Sequence, residues 1–344
     1  MTVGVQMSRR ISLKPYQRRF QTPLRTAWGE WTIREGFILR VEEDGRVGFG
    51  EVAPIPDFGT ETVDAAGAFL EELVLEPDLA VPADFPCCTF GLSAAARDAC
   101  PQASAQSRGR LRAAVPTKDY EVSALLPAGS AVHAIAAQKM ASGYRCLKWK
   151  IGVESLKVEL EHAAQLFRSL PTGVKLRLDA NASLASEELK GWVEFLSEHR
   201  EQLDYLEQPL AVGEEARMAE CMSDTGIPIA LDESLNGTKG VQWLEADAWP
   251  GPLVIKASLM GDISELCERL RPLAEQVVIS SVFETGIGLS NALSLADALP
   301  GLSRPVGFDT LNAFEDGLQP IENAPIIRAV DRLGYSVEDL WNLI

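Results

Sequence analysis

Five ionisable residues, Lys150, Asp179, Glu207, Asp232 and Lys256, each close a short apolar run, and successive members lie 29, 28, 25 and 24 residues apart. Three clustered carboxylates repel one another, so such a group needs a cation to hold it together. Oxygen-only ligands select a hard ion, and three carboxylates with water and substrate completing the shell suit Mg²⁺. The two lysines then frame the chemistry. A carbon acid beside a carboxylate is very weakly acidic, because deprotonation places a second negative charge on the same oxygens. A divalent ion on those oxygens stabilises that charge. Lysine is a competent base where a nearby cation and partial desolvation disfavour its charged form.

Elements must bring these five together. They end the middle five of eight short apolar runs, at 121–126, 145–150, 175–179, 204–207, 228–232, 253–256, 277–281 and 305–309, which alternate with helical stretches. Alternation of this kind indicates parallel βαβ units, and eight in succession predict a closed (β/α) barrel. An open doubly wound sheet is the alternative, but no Gly-rich fingerprint follows the first strand. With 121–126 as strand one, the lysines close strands two and six, on opposite sides of the mouth. The carboxylates close strands three, four and five, near the C-terminal rim where barrel sites lie. Side chains two apart share a face, so Lys148 joins Lys150 inside while Trp149 points to the helices. Arg177 falls one layer below Asp179, either to support the site electrostatically or to pair with a buried acid. A lone Lys or Asp at a strand end is ordinarily a solvated loop residue, and Leu178-Asp179-Ala180-Asn181 also reads as a capping sequence. Five ionisable ends at even spacing, with the signs that a metal site flanked by bases requires, outweigh that reading.

The bulk numbers agree. The chain has 344 residues, 46% of them hydrophobic, and its 32 basic and 49 acidic residues give a net charge of −17. An acidic chain without a basic run is unsuited to nucleic acid or anionic membranes. No apolar stretch reaches the roughly 18 residues that a membrane span needs, and 11–20 is too polar for a signal-peptide core, so the expected location is cytoplasmic. Six cysteines, Cys87, Cys88, Cys100, Cys146, Cys221 and Cys267, lack C-x-x-C spacing and read as buried thiols. Up to about 115 the chain reads as mixed α and β, with a strand at 36–41, an Asp44-Gly45 hairpin turn into 47–52, and helices at 62–75 and 94–99. Residues 101–118 read as a surface loop or domain junction. The division expected is therefore 1–115, a barrel over 118–310, and a tail at 311–344 that packs back on the first domain.

Lys148-Trp149-Lys150, Arg177-Leu178-Asp179-Ala180-Asn181, Leu206-Glu207-Gln208-Pro209, Leu231-Asp232-Glu233-Ser234 and Ile255-Lys256 closely resemble the enolase superfamily. Within it they resemble the muconate-lactonizing subgroup, whose members pair a K-x-K lysine with a second lysine across the barrel. The resemblance covers nearly the whole chain. It implies an α/β enolase-like (β/α)7β-type barrel with an α+β capping domain, to which Arg34-Glu35-Gly36 and Gly48-Phe49-Gly50-Glu51-Val52-Ala53-Pro54 correspond. The mandelate-racemase branch needs a His–Asp pair at late strand ends. The three histidines here, His133, His162 and His199, fall in helical or connecting stretches and read as surface residues. Ser280-Ser281-Val282-Phe283-Glu284-Thr285-Gly286 and Gly307-Phe308-Asp309-Thr310 resemble the branch that dehydrates 2-succinyl-6-hydroxy-2,4-cyclohexadiene-1-carboxylate to 2-succinylbenzoate in menaquinone or phylloquinone biosynthesis. Carried over, Lys150 removes the α-proton and then protonates the departing hydroxide, and Lys256 stabilises the enediolate. Asp179, Glu207 and Asp232 bind Mg²⁺, with Arg177 and Asn181 in support. Lys148, Ser281 and Gly286 contact substrate, backbone N–H groups at a helix start favouring the succinyl carboxylate.

The same scaffold also carries N-acylamino-acid racemases and dipeptide epimerases, which use the two lysines as opposed acid and base, and more distantly muconate cycloisomerases. Dipeptide epimerases often show D-x-D at the end of strand eight, whereas here Gly307 holds the first position and leaves Asp309 alone. A catalytically inactive barrel serving as a binding protein is the reading from another class; it should have lost ladder residues, and all five are kept. The expected partner is a small carboxylate, not nucleic acid or membrane. Loops at 22–28 and 55–60 are expected to shape specificity. Oligomeric state is not legible.

Overall fold

The computed structural model describes residues 9–26, 29–99 and 118–344. Strands β1 (Arg10–Thr26), β2 (Gly29–Glu43) and β3 (Arg46–Val52) form an antiparallel sheet in that order. Asp44 and Gly45 both take positive φ, 52° and 74°, as a two-residue hairpin turn demands. Helix α1 (Val63–Leu75) is capped by Thr62, whose side chain accepts from the Ala65 N–H. Helix α2 (Pro86–Asp98) begins well before the expected 94–99. Its N-terminus lacks a local cap, and the Glu61 carboxylate accepts from the N–H groups of Cys87 and Cys88 instead (3.2 and 2.8 Å). Both helices cover one face of the sheet, sharing a core with Leu39, Val41 and Val52. α2 lies so close to β3 that a Cβ on Gly50 would stand 1.9 Å from the Gly91 carbonyl oxygen. The expected junction at 101–118 falls, except for Lys118, outside the described residues, as do Trp28 of the first specificity loop and Cys100.

Beyond the junction strands and helices alternate. They run β4 (Tyr120–Glu121), β5 (Ser123–Leu126), α3 (Val132–Ala141), β6 (Cys146–Lys150), α4 (Leu156–Ser169), β7 (Lys175–Asp179) and α5 (Ser186–Ser197). β8 (Leu203–Glu207), α6 (Glu215–Thr225), β9 (Ile229–Ala230), α7 (Gly237–Gly240), β10 (Leu253–Ile255), α8 (Ile263–Leu270), β11 (Val277–Ile279) and α9 (Gly286–Asp297) follow. β5 to β9 form a five-stranded parallel sheet, and β10 and β11 a parallel pair. Three parallel bridges, Leu231 to Leu253, Ser280 to Gly307 and Val306 to Val122, join these into a ring of eight staves with seven intervening helical segments. The eighth stave is thus thinner than 305–309. It begins at Pro305, which has no N–H to offer a ladder. The fifth is also short, because Asp232 leaves the extended conformation (φ −128°, ψ −76°) to start a 3₁₀ turn.

The tail serves both parts of the chain. β12 (Ile326–Ile327) pairs antiparallel with β4. α10 (Ala329–Leu333) and α11 (Val337–Leu343) follow, and Leu340 and Trp341 pack with Tyr16, Ile38 and Phe49 on the uncovered face of the N-terminal sheet. Buried polar anchors fix the sheet to the barrel. The fully buried Glu51 carboxylate accepts from Tyr16 Oη (2.6 Å), from the Thr285 and Gly288 N–H groups (3.0 Å each) and from the Thr285 hydroxyl. It therefore seats a negative charge on the positive N-terminal end of α9. Arg18 donates to Asp316 and to the Glu284 carbonyl, with its guanidinium 3.9 Å from the Phe314 ring centroid. Arg34 donates to the carbonyls of Pro54 and Val282. Glu51→Ala would strand several buried donors, each costing on the order of 1–3 kcal/mol. Urea unfolding should show a loss of about 3 kcal/mol or more, and a change within experimental error would contradict this role.

Candidate active site

The register of the parallel sheet sets the charged ladder side by side. Lys150 pairs with Asp179, and Asp179 with Glu207. Glu207 pairs with Ala230, two residues before Asp232 on the same stave. Alternation along β6 sends Trp149 outward, edge-on to Trp192 of α5 at 6.1 Å, and leaves Lys148 and Lys150 facing in. All three carboxylates are buried, Glu207 completely.

Lys148 sits between two of them, 2.8 Å from Asp179 Oδ2 and 2.7 Å from Glu207 Oε1. Burial alone would lower its pKa, but the charges of Asp179 and Glu207 outweigh that and hold it well above its ordinary value. Burial would raise Asp179, yet Lys148 and the Asn181 N–H keep it below the usual carboxylate range. Glu207 is driven well above that range by burial and then by the Asp179 charge, with Lys148 compensating only in part. Its Oε2 is buried with no hydrogen-bond partner among the described residues. Lys256 pairs with Asp232 and lies 4.4 Å from the ring centroid of Phe58, from the 55–60 loop. Lys150 stands apart: among the described residues its Nζ has no hydrogen-bond or ion-pair partner, and it lines the cavity.

That cavity encloses about 210 Å³. Lys148, Lys150, Asp179, Asp232, Glu233 and Lys256 form its charged side, with the Asn181 amide among them. Leu24, Trp31, Ile55 and Phe58 of the N-terminal domain face them with apolar surface, joined by Val282 and Phe283. Ser123, Ser280, Ser281, Gly307 and Thr310 line the remainder. Among the described residues no three His, Cys, Asp or Glu side chains are gathered as a ready metal cage. The donor set nevertheless fits a hard divalent cation: three carboxylates on adjacent staves carry excess negative charge, and the Glu207 Oε2 acceptor is orphaned.

Several expected residues stand elsewhere. Gly286 does not line the cavity; its N–H donates to the Leu318 carbonyl at 2.7 Å, and a Cβ there would meet Pro320. The neighbouring N–H groups of Thr285 and Gly288 are taken by Glu51, so the expected N–H donors of this helix start are engaged within the protein. Ser281 does line the cavity, but its hydroxyl donates to Glu284 Oε2 (2.7 Å) and accepts from the Phe283 N–H and Thr310 Oγ1. One donor and two acceptors are all that a hydroxyl has. Arg177 does not line the cavity; its Nε donates to Asp204 Oδ2 at 2.8 Å, so of its two expected roles it takes the pairing with an acid.

Other residues at the site were not singled out beforehand. The Gln208 side chain accepts from the Asp232 and Ser234 N–H groups and donates to the Leu210 carbonyl and Ser234 Oγ, splinting the ends of two staves. Glu233 accepts from Asn181 Nδ2 at 3.3 Å, and burial and then the Asp232 charge raise its pKa to about 7. The Glu-Gln-Pro and Asp-Glu-Ser motifs were visible signals for both. Phe58 falls in the 55–60 loop expected to shape specificity, whereas Trp31, on β2, gave no signal, because one aromatic in a strand does not reveal which face it takes.

A ring of parallel staves with lysines and carboxylates at its C-terminal ends, roofed by an N-terminal α+β domain, defines a protein of the enolase class. The chain belongs to the enolase superfamily: the family described as enolase C-terminal domain-like matches residues 131–338, and the MenC N-terminal domain matches residues 9–99. Relatives there include o-succinylbenzoate synthases. The one from Thermosynechococcus vestitus is 36% identical over 335 residues, covering 95% of this chain and 96% of the relative. That of Photorhabdus laumondii is 30% identical over 87% and 91%. The crystal structure of o-succinylbenzoate synthase from Thermosynechococcus elongatus BP-1, complexed with Mg in the active site, matches with a TM-score of 0.77 at 30% identity, covering 97% of this chain and 100% of that one. The L-Ala-D/L-Glu epimerase of Bacillus subtilis, at 20% identity and a TM-score of 0.69 over 89% and 90%, shares the fold.

Buried Glu284 links this site to pH. Burial raises its carboxyl from an ordinary 4.5 to about 6, so the folded protein holds that proton more tightly than the unfolded chain. The associated stability is full below pH 4.5 and is lost as pH rises through about 6. Relative to Glu284→Gln, wild type should lose about 2 kcal/mol between these limits. Chemical denaturation of both across that window tests this, and a pH-independent difference would refute it.

Proposed function

We propose that this chain is an o-succinylbenzoate synthase, dehydrating 2-succinyl-6-hydroxy-2,4-cyclohexadiene-1-carboxylate to 2-succinylbenzoate. The observation that carries the mechanism is the Lys150 Nζ at the charged side of the cavity, uncommitted among the described residues, while Lys148 and Lys256 are engaged by carboxylates. Lys150 Nζ takes the proton from the ring carbon that bears the carboxylate, and the electron pair delocalises onto that carboxylate as an enediolate. The pair then returns to the ring and expels the hydroxyl of the adjacent carbon, which leaves as water with the proton that Lys150 gives back. The ring becomes aromatic and no other reactant is needed. Lys256 offers fixed positive charge to the enediolate, oriented by Asp232 and Phe58. Asp179, Glu207 and Asp232 would hold Mg²⁺, which supplies electrostatic stabilisation to the substrate carboxylate. Residues 1–115 with the tail 311–344 act as the cap over the 118–310 barrel, and their apolar wall excludes water from the reacting ring.

A dipeptide epimerase needs a free acid near the end of stave eight to hold an ammonium group. Asp309 is not free: it accepts from Lys139, from Tyr144 Oη (2.8 Å) and from the Leu125 N–H (2.9 Å). Gly307 supplies no acid in its place. Among the described residues no helix is long and apolar enough to cross a membrane.

Purified protein with the cyclohexadiene substrate and Mg²⁺ should show aromatisation by ultraviolet absorbance, abolished by EDTA. A well-folded enzyme with no conversion would sink the assignment. Lys150→Ala should lower kcat by at least about 10³-fold, in keeping with loss of a general acid–base, while thermal unfolding and Mg²⁺ affinity stay near wild type. Turnover close to wild type would remove Lys150 from the mechanism. Asp232→Asn should raise the Mg²⁺ concentration needed for half-maximal rate at least tenfold, on the order expected for a perturbed ligand set. An unchanged Mg²⁺ dependence would take Asp232 out of that set.

A further inference from the structure

His133, near the start of α3, and His162, in the middle of α4, meet on the outer layer of the barrel with His133 Nε2 3.1 Å from His162 Nδ1. We propose that they form a second cation site, for a borderline divalent transition metal of the Zn²⁺ type, unrelated to the carboxylate ladder. Zn–imidazole bonds are roughly 2.0–2.1 Å long, so two nitrogens 3.1 Å apart subtend about 98° at a shared ion, between octahedral and tetrahedral values. The rings meet nearly head on, with centroids 5.2 Å apart, so each turns by roughly 40° to aim its lone pair at a common ion.

A second feature favours the required tautomer. Glu154 Oε2 lies 3.8 Å from Nε2 of His162, the nitrogen that faces away from His133. A carboxylate on that side favours Nε2–H and leaves Nδ1 with its lone pair, the orienting arrangement common behind metal-bound imidazoles. Glu154 is itself held in place, because the Glu159 carboxylate accepts from the N–H groups of Gly152, Val153 and Glu154. Among the described residues no third His, Cys, Asp or Glu joins the pair, so water completes the shell. Imidazole nitrogens select Zn²⁺, Ni²⁺ or Cu²⁺ over Mg²⁺, and the two sites divide metals by ligand hardness.

The competing explanation is a plain hydrogen bond between the rings, which the same 3.1 Å spacing allows. Calorimetric titration of the full chain with Zn²⁺, in saturating Mg²⁺, separates the two. Wild type should bind one Zn²⁺ equivalent whose affinity falls at least about tenfold in both His133→Ala and His162→Ala. His162→Gln, which keeps a hydrogen-bonding side chain without the imidazole, should lose it equally, and Mg²⁺-dependent turnover should be unchanged in all three. Absence of a Zn²⁺ equivalent tighter than about 1 mM, about −4 kcal/mol, or its retention in any of the variants, would overturn the proposal.

Discussion

Three carboxylates at the rim of one barrel mouth are the constraint from which the site follows. Asp179, Glu207 and Asp232 are all buried, and a buried charge is tolerated only when it is paired. The parallel register delivers them to neighbouring positions whether or not their charges agree, so compensation must come from the same level of the ring. Lys148 supplies it between Asp179 and Glu207, and Lys256 supplies it at Asp232. Burial and mutual repulsion still leave Glu207 strained toward its neutral form. A site with that imbalance is a standing attractor for a hard cation and, beside it, for a small anion.

The chemistry needs a roof as well as a floor. Leu24, Trp31, Ile55 and Phe58 come from the N-terminal domain, and their position depends on anchors far from the reacting atoms. Glu51 fills the N-terminal end of α9, and Arg18 and Arg34 bind carbonyls of the turn between β11 and α9. That turn also carries Phe283 at φ 66°, its N–H held by Ser281. The loop that forms one wall of the cavity is thus tied to the domain that forms the other. The same use of α9 leaves the N–H groups of Thr285 and Gly288 engaged by Glu51.

How much of this was legible depended on whether the signal was local. The ladder at Lys150, Asp179, Glu207, Asp232 and Lys256 could be read because a βα unit has a nearly constant length, so spacing alone reported level. The Asp44-Gly45 turn could be read because few residue pairs accept positive φ twice. β1 was not anticipated: its buried positions include Tyr16, Arg18 and Phe20, and a buried arginine reads as polar until its partner, Asp316, is known. The start of α2 was missed for the same reason, its cap being Glu61, about 25 residues upstream. Ser281 and Gly286 were expected to meet substrate because they sit in the right motif. The Ser281 hydroxyl was already claimed by Glu284 within the motif, the Gly286 N–H by the Leu318 carbonyl outside it, and the neighbouring Thr285 and Gly288 N–H groups by Glu51.

The sequence by itself determined the barrel, the level and sign of the charged residues, and the class of chemistry they serve, since periodicity and residue type act within one βα unit. Only the tertiary structure decided which groups remain free to act. Among the described residues it left Lys150 unpaired while committing Lys148 and Lys256, turned Arg177 to Asp204, and placed Phe58 over Lys256. The physical reason is that a donor, an acceptor or a charge can be spent on any partner that folding brings within about 3 Å, and that partner need not be near in the chain.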